Sequence, residues 1–115
     1  SVSKELTEAK VKFEYETTVI PYIKPETNHT YTIDFTLPNG ILVETKGRWV
    51  LEDRKKHLLI KIQHPKLDIR LVFQNSKGKI RKGSKTTYAD FCNKNDIIWA
   101  DKSIPKAWYN EKILK

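Results

Sequence analysis

The 115-residue chain carries 22 Lys and Arg against 14 Asp and Glu, a net charge of +8, together with three Trp, five Tyr and four Phe. That length makes a single domain with a modest core, and the aromatic content excludes a disordered chain. The absence of any apolar run of about 18 residues excludes a membrane span, the first residues lack a signal-peptide core, and the lone Cys92 excludes an internal disulfide and fits a reducing, cytoplasmic setting.

The charge is segregated. Residues 1–45 hold 4 Lys against 7 acids, whereas residues 46–115 hold 18 Lys or Arg against 7 acids. A surplus of that kind implies a polyanionic partner, with nucleic acid ahead of a membrane surface because no basic amphipathic helix stands out.

In chain order, Val2, Leu6 and Ala9 fall at helical spacing, so residues 1–9 are expected to end a helix. Residues 11–19 alternate Val11, Phe13, Tyr15, Thr17 and Val19 with charged residues and Thr18, the pattern of a half-buried strand. Pro21 and Pro25 then predict a stiff, extended connector, because each removes a backbone donor and fixes φ. Residues 30–37 and 41–46 are two β-rich runs around the turn Pro38-Asn39-Gly40.

Two registers of this hairpin are possible. A two-residue Asn39-Gly40 turn would pair Asp34 with Thr45 and send Glu44 to the opposite face. A three-residue loop with Gly40 in the left-handed conformation pairs Leu37 with Ile41, Phe35 with Val43 and Asp34 with Glu44. The second register also puts Ile33, Phe35 and Leu37 on one face with Ile41, Val43 and Thr45, so the apolar pattern favours it. Two carboxylates then face each other at roughly 5 Å between Cβ atoms, with Lys46 beside them. Like charges so placed need compensation, and hard oxygen donors suit Mg²⁺, with Mn²⁺ as substitute. Lys46 is then placed to orient or deprotonate a water, or to stabilise charge on a phosphate, as phosphodiester hydrolysis requires. The competing interpretation is an ordinary polar face on which Lys46 neutralises Glu44.

Beyond the hairpin, Arg48 and Trp49 follow Lys46. Arg48 is placed to touch a phosphate, and Trp49 suits either a nucleic-acid contact or the core. A helix is expected over 52–64, with Leu51, Leu58, Leu59 and Ile62 as its apolar stripe, Arg54, Lys55 and Lys61 on its flanks, and Pro65 as its stop. Residues 67–73 form a strand suited to the centre of the sheet, parallel to the preceding one because a helix separates them. The loop 75–85 concentrates Lys77, Lys79, Arg81, Lys82 and Lys85, a candidate phosphate-contacting segment. A helix over 87–94, a short strand over 97–100 and a terminal helix opened by Pro105 and docked by Trp108 complete the chain. Cys92 is expected to be a small buried thiol. His29, His57 and His64 have no metal-ligand spacing.

The order helix, three strands, helix, strand, helix, strand (αβββαβαβ), with Asp34 before the turn and Glu44-Thr45-Lys46 after it, resembles the α/β restriction-endonuclease-like core of the PD-(D/E)xK nucleases, a mixed sheet flanked by helices. Asn28-His29-Thr30-Tyr31-Thr32, Leu37-Pro38-Asn39-Gly40-Ile41, Val43-Glu44-Thr45-Lys46-Gly47, Asp53-Arg54-Lys55-Lys56-His57-Leu58-Leu59-Ile60 and Ala100-Asp101-Lys102-Ser103-Ile104-Pro105 resemble the endonuclease I family of the T-odd bacteriophages, resolvases of four-way (Holliday) DNA junctions, over essentially the whole chain. The resemblance implies a Mg²⁺-dependent nuclease with Asp34, Glu44 and Lys46 as catalytic residues and Asp34, Glu44 and Thr45 as the metal set. From their charge and position, Arg48, Arg54, Lys55, Lys77, Lys79, Arg81, Lys82 and Lys85 are the candidate DNA contacts. The resemblance also implies a single nuclease domain over 1–115 that forms a homodimer by exchanging residues 1–23 across a proline-containing bridge near 24–28, in the host-cell cytoplasm.

Two departures stand out. Ile33 occupies a position where that family usually has proline, and a further family glutamate, near the start of the first helix, falls upstream of Ser1 in this register. Glu5 and Glu8 lie at other angular positions on that helix. Two alternatives to a junction-cleaving enzyme therefore stay open: a catalytically incomplete junction-binding protein or fragment, and a sequence-specific duplex endonuclease of restriction or homing type.

Overall fold

The computed structural model describes residues 14–16, 18–24 and 27–112. The helix expected over 1–9 and the start of the strand expected over 11–19 lie outside the described residues. Ten elements follow in order: β1 (Glu14–Tyr15), β2 (Val19–Lys24), β3 (Thr27–Thr32), β4 (Phe35–Thr36), β5 (Leu42–Lys46), α1 (Leu51–Gln63), β6 (Ile69–Phe73), α2 (Tyr88–Lys94), β7 (Trp99–Asp101) and α3 (Lys106–Tyr109).

β1, β4, β5, β6 and β7 form one mixed sheet in that order, antiparallel through β5 and parallel from β5 to β7. The parallel half arises as expected from helical connections; β6 is interior, between β5 and β7, while β5 is the middle strand. Alternation along the strands divides the core. Phe35, Leu37, Ile41, Val43 and Val72 face α3, where Ile104 and Trp108 cover them. On the other face, Leu42 packs with Ile60 of α1, and Leu71 and Phe73 pack with Trp49 and with Tyr88 and Cys92 of α2. Cys92 is fully buried, and burial pushes its thiol up to about 12, as expected of a packing residue. No helix among the described residues is long and apolar enough to cross a membrane.

The β4–β5 turn has the expected three-residue form. Gly40 adopts φ +90°, its N–H donates to Leu37 O at 2.9 Å, Leu37 N–H donates to Ile41 O at 2.9 Å, and Phe35 pairs with Val43. The apolar register decides it, because a one-residue slip would expose Phe35 and Val43.

Four expectations are corrected. The strand expected over 30–37 is broken at Ile33–Asp34. β3 pairs with β2, β4 pairs with β5, and Ile33 packs with Leu42 and Ile60 rather than with Phe35. The break is held from outside: Ile33 N–H donates to Thr18 O at 3.0 Å, and Glu16 N–H donates to Asp34 O at 3.2 Å.

The proline connector is also corrected. Pro21 lies inside β2, paired with Thr30 in a two-stranded ribbon, while Pro25 lies outside the described residues. Proline is tolerated there because β2 is an edge strand and the backbone groups of residues 21 and 23 point away from β3. Pro21 O bonds the His64 imidazole, and Ile23 exchanges two hydrogen bonds with the Gln63 amide at 2.7 and 2.6 Å. Residues 21 and 23 thus bond the C-terminal end of α1 and the residue after it.

The third correction concerns α1, whose buried face is Arg54, His57 and Ile60. Of the expected stripe, Leu51 and Ile62 are 53% and 74% exposed. A burial pattern read from polarity misses an arginine that finds backbone acceptors in the interior. Fourth, the last strand is shifted to Trp99–Asp101, with Ile97 buried ahead of it.

Candidate active site

β5 carries Leu42, Glu44 and Lys46 on the face turned toward α1, since side chains alternate and Leu42 packs with Ile60. Asp34 approaches from the break between β3 and β4. The two carboxylates do not merely face one another as a regular cross-strand pair would. Each one takes over a backbone acceptor that the broken ladder lacks.

Asp34 N–H donates to Glu44 Oε1 at 2.6 Å, and Thr45 N–H donates to Asp34 Oδ2 at 3.0 Å. Thr45 Oγ1 adds a second bond to Asp34 Oδ2 at 3.0 Å. Asp34 Oδ1 has no hydrogen-bond partner among the described residues. Lys46 Nζ stands 3.7 Å from Glu44 Oε2. Glu44 therefore contacts both of the other groups expected to work with it.

Glu44 is 5% exposed. Burial, and then the charge of Asp34, push its carboxyl up to about 7, against the lowering influence of the Asp34 N–H, Lys46 and the Tyr31 hydroxyl. A buried carboxylate beside a second carboxylate is charge-deficient by about one cation, and Lys46 supplies only part of the compensation. That is the electrostatic condition for a divalent ion. Asp34 and Glu44 offer hard oxygen donors of the right type, and the Thr45 hydroxyl is already committed to Asp34. Among the described residues no third His, Cys, Asp or Glu side chain joins these two donors.

Two residues that the sequence did not single out border the site. Tyr31 is 6% exposed, and Lys46 Nζ and Lys56 Nζ lie 5.9 and 5.4 Å from its ring centre. His57 is buried with Nδ1 unpaired, and burial followed by the charges of Lys46 and Lys61 lowers it to about 4. Neither stands out in sequence, because Tyr31 is one aromatic of an alternating strand and His57 one polar residue of a helix.

Trp49 resolves to the core. It is fully buried, its backbone N–H donates to Tyr88 Oη at 3.2 Å, and its ring packs against Phe73 and Phe91. The chain after Lys46 is thereby anchored, and Gln74 N–H donates to Lys46 O at 2.9 Å. Arg48, between them, is exposed.

The expected cations divide into two groups. Lys55 on α1 and Lys77, Lys79, Arg81, Lys82 and Lys85 on the 75–85 loop are exposed. That loop leaves the sheet just past Phe73, which pairs with Lys46, so it starts at the site's edge. Arg54 is corrected: it is 5% exposed, and its Nη1 donates to Trp49 O at 3.2 Å and Ile80 O at 2.9 Å. It ties the basic loop to the chain behind Lys46 instead of presenting its charge to solvent.

A family model for phage endonuclease I matches residues 1–115. Over 110 residues the chain is 59% identical to Endonuclease I of Escherichia phage T7, covering 96% of this chain and 74% of that protein. It is 57% identical over 110 residues to Endodeoxyribonuclease 1 of Enterobacteria phage T3, covering 96% of this chain and 72% of that protein.

Proposed function

The chain belongs to the phage endonuclease I family, and from that premise we propose that it is a metal-dependent DNA endonuclease selective for branched DNA, four-way junctions above all. The observation that carries the proposal is the contact set of Asp34, Glu44 and Lys46: Glu44 accepts from the Asp34 N–H, Asp34 accepts from the N–H of Thr45 next to Glu44, and an ammonium stands 3.7 Å from Glu44.

Asp34 and Glu44 would hold Mg²⁺ or Mn²⁺, with Thr45 fixing Asp34 through its N–H and hydroxyl. When bound, the ion supplies Lewis-acid charge to a phosphodiester. Lys46, at the end of β5, places its ammonium where it stabilises the charge that develops on the phosphoryl oxygens or orients the attacking water. Arg48, Lys55 and the exposed cations of the 75–85 loop hold the sugar–phosphate backbone around that point.

The working form is a homodimer that exchanges residues 1–23 across residues 24–28. Tyr15, Val19 and Ile23, which are 55%, 53% and 57% exposed in the single chain, support such an interface. Acting on DNA inside the host cell requires no membrane segment.

Cleavage of an end-labelled four-way junction and of a matched linear duplex, with Mg²⁺ or EDTA, and with Lys46→Ala alongside, tests the function. Metal-dependent, junction-selective cutting that Lys46→Ala abolishes is expected. Cutting of the duplex at one sequence regardless of branching would replace the proposal with a sequence-specific enzyme. Tight junction binding without cutting in either metal would replace it with a junction-binding protein.

A further inference from the structure

The lysines of α1 differ in what holds them. Lys55 is exposed, and Lys61 Nζ donates to Asp96 O at 2.8 Å. Lys56 is half-buried, and its Nζ lies 5.4 Å from the ring centre of Tyr31. The same ring has Lys46 Nζ at 5.9 Å. Tyr31 is 6% exposed and packed with Ile20, Ile33, Leu42 and Ile60, so its ring is a fixed platform between β5 and α1. Both ammonium groups are within cation–π range of it.

Two like charges gathered at one ring repel each other, and the fold answers only one of them. Lys46 has Glu44 Oε2 at 3.7 Å. Among the described residues no carboxylate lies within ion-pair distance of Lys56, Asp53 one turn earlier on the same helix included. The ring orders the Lys56 stem, but it neither neutralises the ammonium nor occupies all three of its donors. A cation positioned in advance and left unneutralised suits a phosphate, because the rotamer entropy of the long side chain is given up before the ligand arrives. The shared ring also limits distance. Lys56 Nζ can be no farther from Lys46 Nζ than the two ring distances together allow, which keeps it within reach of a neighbouring phosphate on the same strand.

We propose that Lys56 is a further phosphate-binding residue of this site, its ammonium held at the Tyr31 ring to take the DNA phosphate adjacent to the one that Lys46 meets. The inference rests on the nuclease function proposed above, and adds a cation from α1 to those of β5 and the 75–85 loop. Lys55, its neighbour in sequence, is displaced from it by about 100° around the helix and does not share this position.

Four proteins separate the alternatives: the parent chain, Lys56→Gln, Lys56→Arg and Lys66→Gln, the last removing an exposed charge just beyond the C-terminal end of α1. Filter binding of a four-way junction in EDTA is expected to give Lys56→Gln a slope of log Kd against log salt about one unit shallower than the parent's. Lys56→Arg is expected to restore the slope, and Lys66→Gln to leave it unchanged. Single-turnover cleavage in Mg²⁺ by Lys56→Gln is expected to fall about tenfold, the loss of one charge-assisted contact, with the melting temperature of the parent. Neutralising the phosphate then locates it. The end label identifies the cut linkage, and a methylphosphonate is placed in turn at the linkage on either side. At one of the two, the neutral linkage is expected to slow the parent about tenfold and Lys56→Gln no further.

A Lys56→Gln protein that melts lower yet keeps the parent's salt slope would show that Lys56 only covers Tyr31, and overturns the inference. Losses that add independently at both flanking linkages put its contact away from Lys46 and overturn it as well. If the parent binds the junction but cuts no DNA, the nuclease function falls, while the salt slope still decides whether Lys56 meets a phosphate, and a slope equal to the parent's overturns the inference there too.

Discussion

Asp34 donates its backbone N–H to Glu44 at 2.6 Å, and the acid so engaged is one that its surroundings push up to about 7. The same interlock that orders the pair therefore holds two like charges together, and the fold pays for it when no cation is bound. Glu44 ordinarily ionises near 4.5, so its folded value is raised. The stability that goes with its protonated form is complete below about pH 4.5 and is lost as pH rises through about 7, a difference of about 3 kcal/mol. Glu44→Gln is expected to melt higher than the parent in EDTA at pH 8 and to match it at pH 4. Mn²⁺ should raise the parent's melting temperature more at pH 8 than at pH 5, and leave Glu44→Gln nearly unmoved. A parent no less stable than Glu44→Gln at pH 8 would remove the charge conflict from the site.

His57 predicts the opposite slope. Its folded value, lowered from 6.5 to about 4, makes its contribution complete above about pH 6.5 and lost as pH falls through about 4, again about 3 kcal/mol. Between pH 4.5 and 6.5 the two groups oppose each other, so metal-free parent protein should show a nearly flat stability profile. Substitution of either unmasks the other. Glu44→Gln should gain stability as pH rises through that interval, and His57→Leu should lose it. Denaturant melts at pH 4, 5, 6 and 7 check both signs, and parallel profiles for the two variants would contradict them.

The sequence discloses the parts of this site that obey a period and hides those that depend on distant partners. The Leu37–Ile41 turn and the common face of Glu44 and Lys46 follow from alternation and from one glycine, both local. The parallel β5–β6 pair follows from the intervening helix. The break at Asp34 is invisible, because the alternation of residues 30–37 runs through it unchanged and the donors that enforce it come from residues 16 and 33 meeting acceptors on 34 and 18. Arg54 is misjudged for a related reason: its acceptors, Trp49 O and Ile80 O, belong to two loops whose proximity only the packed structure reveals.

That contrast between Arg54 and the exposed cations is itself testable. Lys79, Arg81 and Lys82 are exposed on the loop, and if each meets a phosphate, neutralising all three to Gln should reduce the slope of log Kd against log salt by about one unit per residue, with melting temperature unchanged. Arg54→Met should do the reverse. Two buried carbonyls lose their donor, which costs about 2 kcal/mol, while the salt slope stays that of the parent. Filter binding of a four-way junction across a salt series, beside thermal melts, separates the two; an altered slope with unaltered stability in Arg54→Met would return that residue to the DNA-facing set.

Gly78 sits where the basic loop crosses Tyr88, and its lack of a side chain is required by distance. A Cβ there would lie 2.8 Å from Tyr88 Cε2 and 3.2 Å from Asn75 O. Tyr88 has little room to retreat: it is 8% exposed, its ring is stacked on Phe73 at 5.5 Å, and its hydroxyl accepts the Trp49 backbone N–H that anchors the chain behind Lys46. Overpacking of this kind costs about 1–3 kcal/mol. Gly78→Ala is therefore expected to lower the melting temperature, and to weaken cleavage through the displaced Trp49 segment more than it weakens junction binding in EDTA. The cost should shrink when Tyr88 is first replaced by Leu, which vacates the contacted ring positions, so a double-mutant cycle should give a coupling of about 1 kcal/mol or more. An equal cost in both backgrounds would show that the glycine serves the loop's backbone rather than the close approach of Tyr88.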